Sequence, residues 1–328
     1  MFKGIIIDID SISLHLSQED LSYLPFDKKF LMDLYEKNVT IGFTTKSSYT
    51  QCEEFLRQLD ILPYIHYFQG REYNATLENF HHICFKLNVS PGECVLLTDN
   101  TESCTLCKNS PFTVVAYMNP KMKGQNLSSA YMLIEGFDEV NYDFINTVYL
   151  RSHGKPVTIA MTKRCIIREL TLEDIPVLYD FYQEPKHTTY LNTKLGSLEE
   201  ELEKHKAYQK HSYEFYGFGL WGVFLKDSNQ LIGHCGIECK MVEASSEIEL
   251  GYLIHKNYQK QGYATESCRA IIDYCNLWLE IPRIIAVIDQ NNIASIHVAK
   301  SLGMTLEKQI LRDNKICELY KIEVTSKT

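Results

Sequence analysis

The chain has 328 residues and a formal net charge of −9, shared by both halves: 13 Lys and Arg against 19 Asp and Glu up to residue 155, and 20 against 23 beyond it. An acidic balance in each half excludes the basic footprint of a nucleic-acid binder and favours a neutral or basic partner. No apolar run approaches the ~20 residues of a membrane span and no basic-then-apolar leader opens the chain. Eleven scattered cysteines, an odd number, fit a reducing compartment, so a cytoplasmic protein is expected.

The length predicts two domains. The first begins with an apolar run, residues 2–10, that ends in Asp8 and Asp10. Two residues apart on a strand, these acids point the same way, and ligands of open α/β sheets gather at strand carboxyl ends. Such a pair could hold Mg²⁺ and serve phosphoryl transfer; it also fits a strand that simply runs out into a polar turn. Helical spacing over residues 30–35 and 77–87 alternates with strand-like runs at 39–44 and 94–99, which predicts a parallel, doubly wound, Rossmann-like sheet. Cys104 and Cys107 form a C-x-x-C without a second pair at metal spacing, and Cys235 and Cys239 are expected to pack inside strands.

Residues 1–150 resemble the haloacid dehalogenase (HAD) superfamily. Asp8 and Asp10 stand at its D-x-D pair, Thr44 at its second-motif hydroxyl, and Asp99 at the first acid of its G-D-x-x-x-D motif. The resemblance implies that Asp8, Asp10 and Asp99 are the metal ligands if the site is active. The departures are specific: Ser11 and Ile12 replace the usual Gly-Thr, no lysine stands near residues 71–74, and Ser103 occupies the place of the final acid. Little sequence separates Asp10 from Thr44, too little for a large cap. A degenerate HAD-like module follows from these losses.

Residues 142–150 keep apolar spacing, and residues 151–156 supply the Gly and Pro of a connection, so a linker is expected over 151–163 and a second domain over 164–328. Thr171 and Asp174 open a helix whose inner face carries Ile175, Leu178 and Tyr182. Ser197 opens another, rich in Glu and Lys, with a mixed-charge run at 199–210 that reads as a solvated face. A hairpin over 218–239 precedes residues 247–254, which alternate with a period of two. From Ala264 the period becomes helical, with Cys268, Ile271, Ile272 and Cys275 on one stripe. Gly262 lies between strand and helix, where a tight turn aims helix N–H groups at an anion. A strand at 284–288, a helix from Asn292 and two closing strands complete the domain.

Gln259-x-x-Gly262-x-Ala264 after a strand resembles the acetyl-CoA pyrophosphate signature of the GNAT N-acetyltransferase superfamily. Residues 168–175, 231–236, 292–295 and 300–304 resemble its other motifs, in the order of the ribosomal-protein and amine acetyltransferase subgroup. The resemblance implies an α+β fold with a mixed, mostly antiparallel sheet. It implies an N-acetyltransferase that passes the acetyl group of acetyl-CoA directly to a small amine or a protein N-terminus. Leu253 and Ile254 would then meet the pantetheine arm, Gln259, Gln261, Gly262, Tyr263, Ala264 and Thr265 the pyrophosphate, and Asn292 the CoA arm. Ser295 is the implied proton donor near sulfur, since Ala299 stands where many relatives carry a tyrosine. Glu249, on the strand face opposite Ile248 and Leu250, is the candidate base; a solvated or paired strand acid fits the same pattern. Glu266 is explained by the helix dipole. Two other readings stay open: a bifunctional protein with a Mg-dependent phosphatase, and a CoA-binding sensor without turnover.

Overall fold

The computed structural model describes residues 1–10, 25–70, 75–120, 122–183 and 195–324, and its chain divides into two compact units, Met1–Lys155 and Pro156–Thr328. In the first, β1 (Gly4–Asp8), β2 (Thr40–Thr45), β3 (Tyr67–Gly70), β4 (Cys94–Thr98), β5 (Thr113–Tyr117) and β6 (Met132–Ile134) form a parallel sheet in the order β3-β2-β1-β4-β5-β6. Ile5, Ile6 and Ile7 of the central strand are fully buried because both faces are covered. Ile5 and Ile7 pack with α1 (Lys28–Glu36), α2 (Tyr49–Gln58) and α5 (Tyr142–Ser152), and Ile6 with α3 (Leu77–Leu87) and α4 (Thr101–Cys107). The doubly wound expectation is met. The order reverses between β1 and β4, so Asp8, Asp10 and Asp99 fall at the topological switch point.

The second unit holds an eight-stranded mixed sheet in the order β13-β14-β12-β11-β10-β9-β8-β7. Its strands are β7 (Thr158–Met161), β8 (Cys165–Arg168), β9 (Leu220–Leu225), β10 (Leu231–Val242), β11 (Ser245–Ile254), β12 (Arg283–Asp289), β13 (Thr305–Arg312) and β14 (Lys315–Glu323). The stretch 151–163, expected as a linker, contains the division between the units at Lys155 and Pro156 but holds regular structure at both ends. α5 continues to Ser152, and β7 pairs antiparallel with β8 while Ile159 and Ala160 pack on the core.

One sheet face packs Cys235, Ile237 and Leu250 against Cys268, Ile271, Ile272 and Cys275 of α8 (Tyr263–Trp278) and Ile296 and Ala299 of α9 (Ile293–Ser301). The opposite face carries α6 (Ile175–Gln183), whose Leu178 and Phe181 meet Phe224 and Leu231. α7 (Leu198–Tyr208) starts at a Ser197–Glu200 capping box and runs directly into a π-helical turn, Gln209–Tyr216, that no sequence period announces. Cys104, Cys107 and Cys235 are buried, whereas Cys239 is exposed beside Ser246, which corrects the expectation that it packs inside. No helix among the described residues is long and apolar enough to cross a membrane.

Candidate active site

The strand-to-helix turn is built for an anion. Lys260 (φ 60°) and Gly262 (φ 84°) both adopt the left-handed conformation, a cost of roughly 1 kcal/mol for the lysine that only the surrounding contacts repay. Gln259 Nε2 donates to the Ile254 carbonyl (2.8 Å) and Gln261 Nε2 to that of Asn257 (2.9 Å), so both side chains fold the turn rather than project from it. α1 to α5, α7 and α9 all begin at a side-chain cap, whereas Gly262 gives α8 none. The first α8 bond to Gly262 is donated by Glu266, which leaves the amides of Tyr263, Ala264 and Thr265 pointing out of the helix at its positive end.

Glu266 does more than complement the dipole. Its Oε1 accepts from Thr162 Oγ1 (2.7 Å) and the Arg164 amide (2.9 Å), and its Oε2 from Arg164 Nε (2.7 Å). Burial alone would raise its carboxyl; Thr162 and Arg164 outweigh that and hold it below the usual range. Arg164 in turn donates to the Gln261 carbonyl (3.0 Å) and lies 4.0 Å over the Tyr263 ring. The knot fixes the turn to the β7–β8 connection, through a partner 102 residues away that no local pattern reveals.

The second part is an open strand. β10 pairs with β11 along its whole length, from Val242↔Ser245 to Gly233↔Ile254, but β11 meets β12 in the single register pair Glu249↔Ile285. Beyond Glu249 the parallel neighbours diverge, so the side of β11 that carries Leu253 and Ile254 opens towards α9. Tyr252 spans that side, its hydroxyl donating to the Ser295 carbonyl (2.9 Å). Ser295 also donates its amide to Asn292 Oδ1 (3.2 Å), so Asn292 caps α9 and places the half-buried Ser295 in its first turn. Thr265 Oγ1 lies 3.1 Å from Ser301 Oγ, which ties α8 to the far end of α9. The predicted turn, strand end and helix start therefore come together on one unit.

Glu249 is the exception. Arg312 grips it in a bidentate pair, 2.7 Å to Oε1 and 2.8 Å to Oε2. Both oxygens accept from a guanidinium, and the pairing favours the charged carboxylate over its protonated form. The geometry matches the paired strand acid that the sequence also allowed for Glu249.

Across the sheet, His234 and Gly236 of β10 share a face with Leu220 of β9, opposite Cys235 and Ile237. A cavity of about 210 Å³ opens there between the sheet and helices α6 and α7. His234 is 5% exposed, its Nε2 lies 2.8 Å from Tyr182 Oη, and burial lowers its pKa to about 4. Glu201, Lys204 and Tyr208 of α7 also line the cavity, so the mixed-charge helix is not wholly the solvated face its sequence suggests. Tyr182, Tyr208 and His234 are functional candidates that the sequence pattern did not single out. Residues 184–194, between α6 and α7 in the chain, lie outside the described residues.

In the first unit the acids meet, but as a closed network. Asp8 Oδ2 accepts from Thr98 Oγ1 (2.9 Å) and Ser103 Oγ (2.6 Å). Asp10 accepts from the Lys46 amide (3.0 Å) and Asn100 Nδ2 (2.5 Å), while Asp99 Oδ1 takes the Asp10 amide (2.9 Å). Among the described residues no group of three or more His, Cys, Asp or Glu is arranged to hold a metal ion. Asp8, Asp10 and Asp99, the ligands the resemblance implies if the site is active, thus already accept protein hydrogen bonds at Asp8 Oδ2, at both Asp10 oxygens and at Asp99 Oδ1. Ser11 and residues 71–74 lie outside the described residues.

Residues 164–305 match a family model described as an acetyltransferase (GNAT) domain. YnaD of Bacillus subtilis (strain 168), described as an uncharacterized N-acetyltransferase, is 30% identical over 149 residues, which are 44% of this chain and 82% of that protein. The chain belongs to the GNAT acetyltransferase family. YkkB of the same organism, described as uncharacterized, is 35% identical over 106 residues, 32% of this chain, and the chain spans only 62% of its length. A solved acetyltransferase from Agrobacterium tumefaciens str. C58 is 26% identical, with a TM-score of 0.43, over 50% of this chain and 93% of that one. The GNAT match falls entirely within the second unit.

Proposed function

We propose that the GNAT domain is an acetyl-CoA-dependent N-acetyltransferase acting on a primary amine. The observation that carries this reading is the uncapped start of α8 behind a turn with two left-handed residues, directly beyond a strand whose paired neighbour diverges. A pyrophosphate fits the first feature because helix amides and dipole both favour an anion there. An extended amide-bearing arm fits the second, alongside the end of β11 that β12 leaves unpaired. YnaD, described as an N-acetyltransferase, supports the activity.

In the reaction the neutral amine attacks the thioester carbonyl carbon. The C–N bond forms, the C–S bond breaks, and the electron pair leaves on sulfur. One amine proton goes to solvent and the thiolate takes one, giving amide and free CoA. Ser295, in the first turn of α9 beside the opening, is the residue we assign to that second proton. Glu249 remains bound to Arg312 and holds β11 to β13.

For the first unit we propose a HAD-like module without phosphatase turnover. The parallel order around β1, with Asp8, Asp10 and Asp99 at the switch point, supports the likeness; the Ser103 hydroxyl on Asp8 supports the loss of activity. The test of the main reading is calorimetric titration of acetyl-CoA into the whole protein and into Gly262→Glu. The variant strains a left-handed position and puts a carboxylate where the phosphate would lie. Saturable binding lost in the variant is expected; no heat with the unaltered protein would end the acetyl-CoA reading.

A further inference from the structure

Resting on that reading, we infer that the acceptor is a primary amine carried on a single uncharged apolar or aromatic body about the size of one side chain, seated in the cavity between α6, α7 and β10. The first argument is size. At about 210 Å³ the cavity is smaller than the roughly 300–1,000 Å³ of sites that enclose a drug-sized ligand, so it suits one ring or one branched chain.

The second argument is chemistry. Leu170, Ile175, Leu178, Tyr179, Tyr182 and Tyr208 line it. Tyr208 commits its hydroxyl to the Leu220 amide (2.7 Å) and to Glu238 (3.2 Å), and Tyr179 gives its own to the Gly196 carbonyl (3.1 Å), so these polar tips are already engaged by protein groups. The polar floor is the His234–Tyr182 pair, and His234 Nδ1 is buried with no hydrogen-bond partner among the described residues. With its pKa lowered to about 4 by burial, that imidazole is uncharged near neutral pH and offers a hydrogen bond without a charge.

The third argument concerns the acids. A polyamine needs several unclaimed carboxylates along its length. Among the described residues the carboxylate lining this cavity is Glu201, whose Oε1 takes Lys204 Nζ (2.6 Å) and the Gly196 amide (3.1 Å). Glu238, next along the sheet, takes Tyr208 and Lys240 (3.1 Å). Lys204 at the rim repels a second positive charge.

Position agrees with chemistry. His234 stands directly opposite Leu253 in the β10–β11 register, and such pairs lie about 4.5–5.5 Å apart, so the cavity floor is one strand spacing from the open edge of β11. An amine on a short stem from an apolar body in the cavity reaches that edge. A free arylalkylamine and a peptide whose first residue is aromatic share this chemistry.

The test uses the full chain with acetyl-CoA and measures free CoA thiol released with phenethylamine, isoamylamine, spermidine, and short peptides beginning with Phe or Asp. Acetyl-CoA binding is measured separately by calorimetry. We expect kcat/KM for phenethylamine or the Phe peptide to exceed that for spermidine and the Asp peptide by at least about tenfold, as a single apolar contact site can discriminate. Lys204→Gln, a change at an exposed rim position, is expected to narrow the gap by freeing Glu201 for a cation. Preference between phenethylamine and the Phe peptide tells the small amine from the protein terminus. Acetyl-CoA binding with spermidine as the better acceptor, or with none of these amines accepted, would overturn the inference and leave the cofactor reading intact. Absence of acetyl-CoA binding would overturn both.

Discussion

Replacing His234 tests the described cavity without any knowledge of the substrate. Burial lowers this imidazole from the ordinary 6.5 to about 4, so the folded protein keeps it neutral where the unfolded chain protonates it. Between those values the unfolded state binds more protons, and stability must fall as pH falls. The contribution is fully present above pH 6.5 and fades towards pH 4, for a total of about 3 kcal/mol at about 1.4 kcal/mol per pH unit. From pH 7.5 to 5.5 the same linkage gives a loss of about 1.3 kcal/mol. His205, also lowered by burial, adds a loss of the same sign, so the comparison that isolates His234 is between the parent and His234→Gln. The protein has two tryptophans, Trp221 and Trp278, both in the second unit, so fluorescence during urea unfolding reports that unit alone. The variant should be less stable at pH 7.5 and show a shallower decline to pH 5.5. Parallel profiles for parent and variant would mean that His234 is not buried as described, and the cavity floor would have to be redrawn.

Two further perturbations separate structural acids from reactive ones. Glu249→Gln breaks a bidentate pair whose carboxylate is 14% exposed, and should destabilise the second unit by about 1–3 kcal/mol while leaving the pH profile of kcat/KM unchanged. A loss of about 100-fold or more in kcat, with the alkaline limb of the profile altered, would instead restore Glu249 as a base. Ser103→Ala removes one of the two hydroxyls on Asp8 Oδ2 and should cost the first unit about 1–2 kcal/mol, read as faster hydrogen exchange at the Ile5, Ile6 and Ile7 amides. Unchanged exchange would show that the network does not hold the switch point.

What the sequence made legible was local. The change of period at Gly262, the strand alternation of residues 247–254 and the apolar run to Asp8 each depend on neighbours within a few residues, and each element forms where its period places it. β7 was hidden because Gly154 and Pro156 punctuate the chain just ahead of a short edge strand. The π-helical turn at Gln209–Tyr216 carries no period of its own. The partners of side chains were hidden for a different reason: alternation says which way Glu249 points and nothing about Arg312, 63 residues on, which meets it there.

That distinction explains why the predicted acids in both units turned out to be committed. A carboxylate removed from water costs several kcal/mol unless it finds a cation or several donors. Asp8, fully buried, and Glu249, 14% exposed, meet that demand in different ways, one with two hydroxyls and the other with a guanidinium. Sequence marks such positions as charged and inward-facing, the same signature that a reactive acid leaves. A buried imidazole escapes the demand by staying neutral, so His234 can leave Nδ1 without a partner among the described residues at much smaller cost. In the second unit His234 Nδ1 is therefore a polar atom left to the uncharged cavity, and the proposed cofactor side relies on backbone amides at α8 rather than on an acid. A search for reactive carboxylates would pass over both features, and together they make the acceptor's apolar body and the cofactor's phosphates the two groups that binding should discriminate.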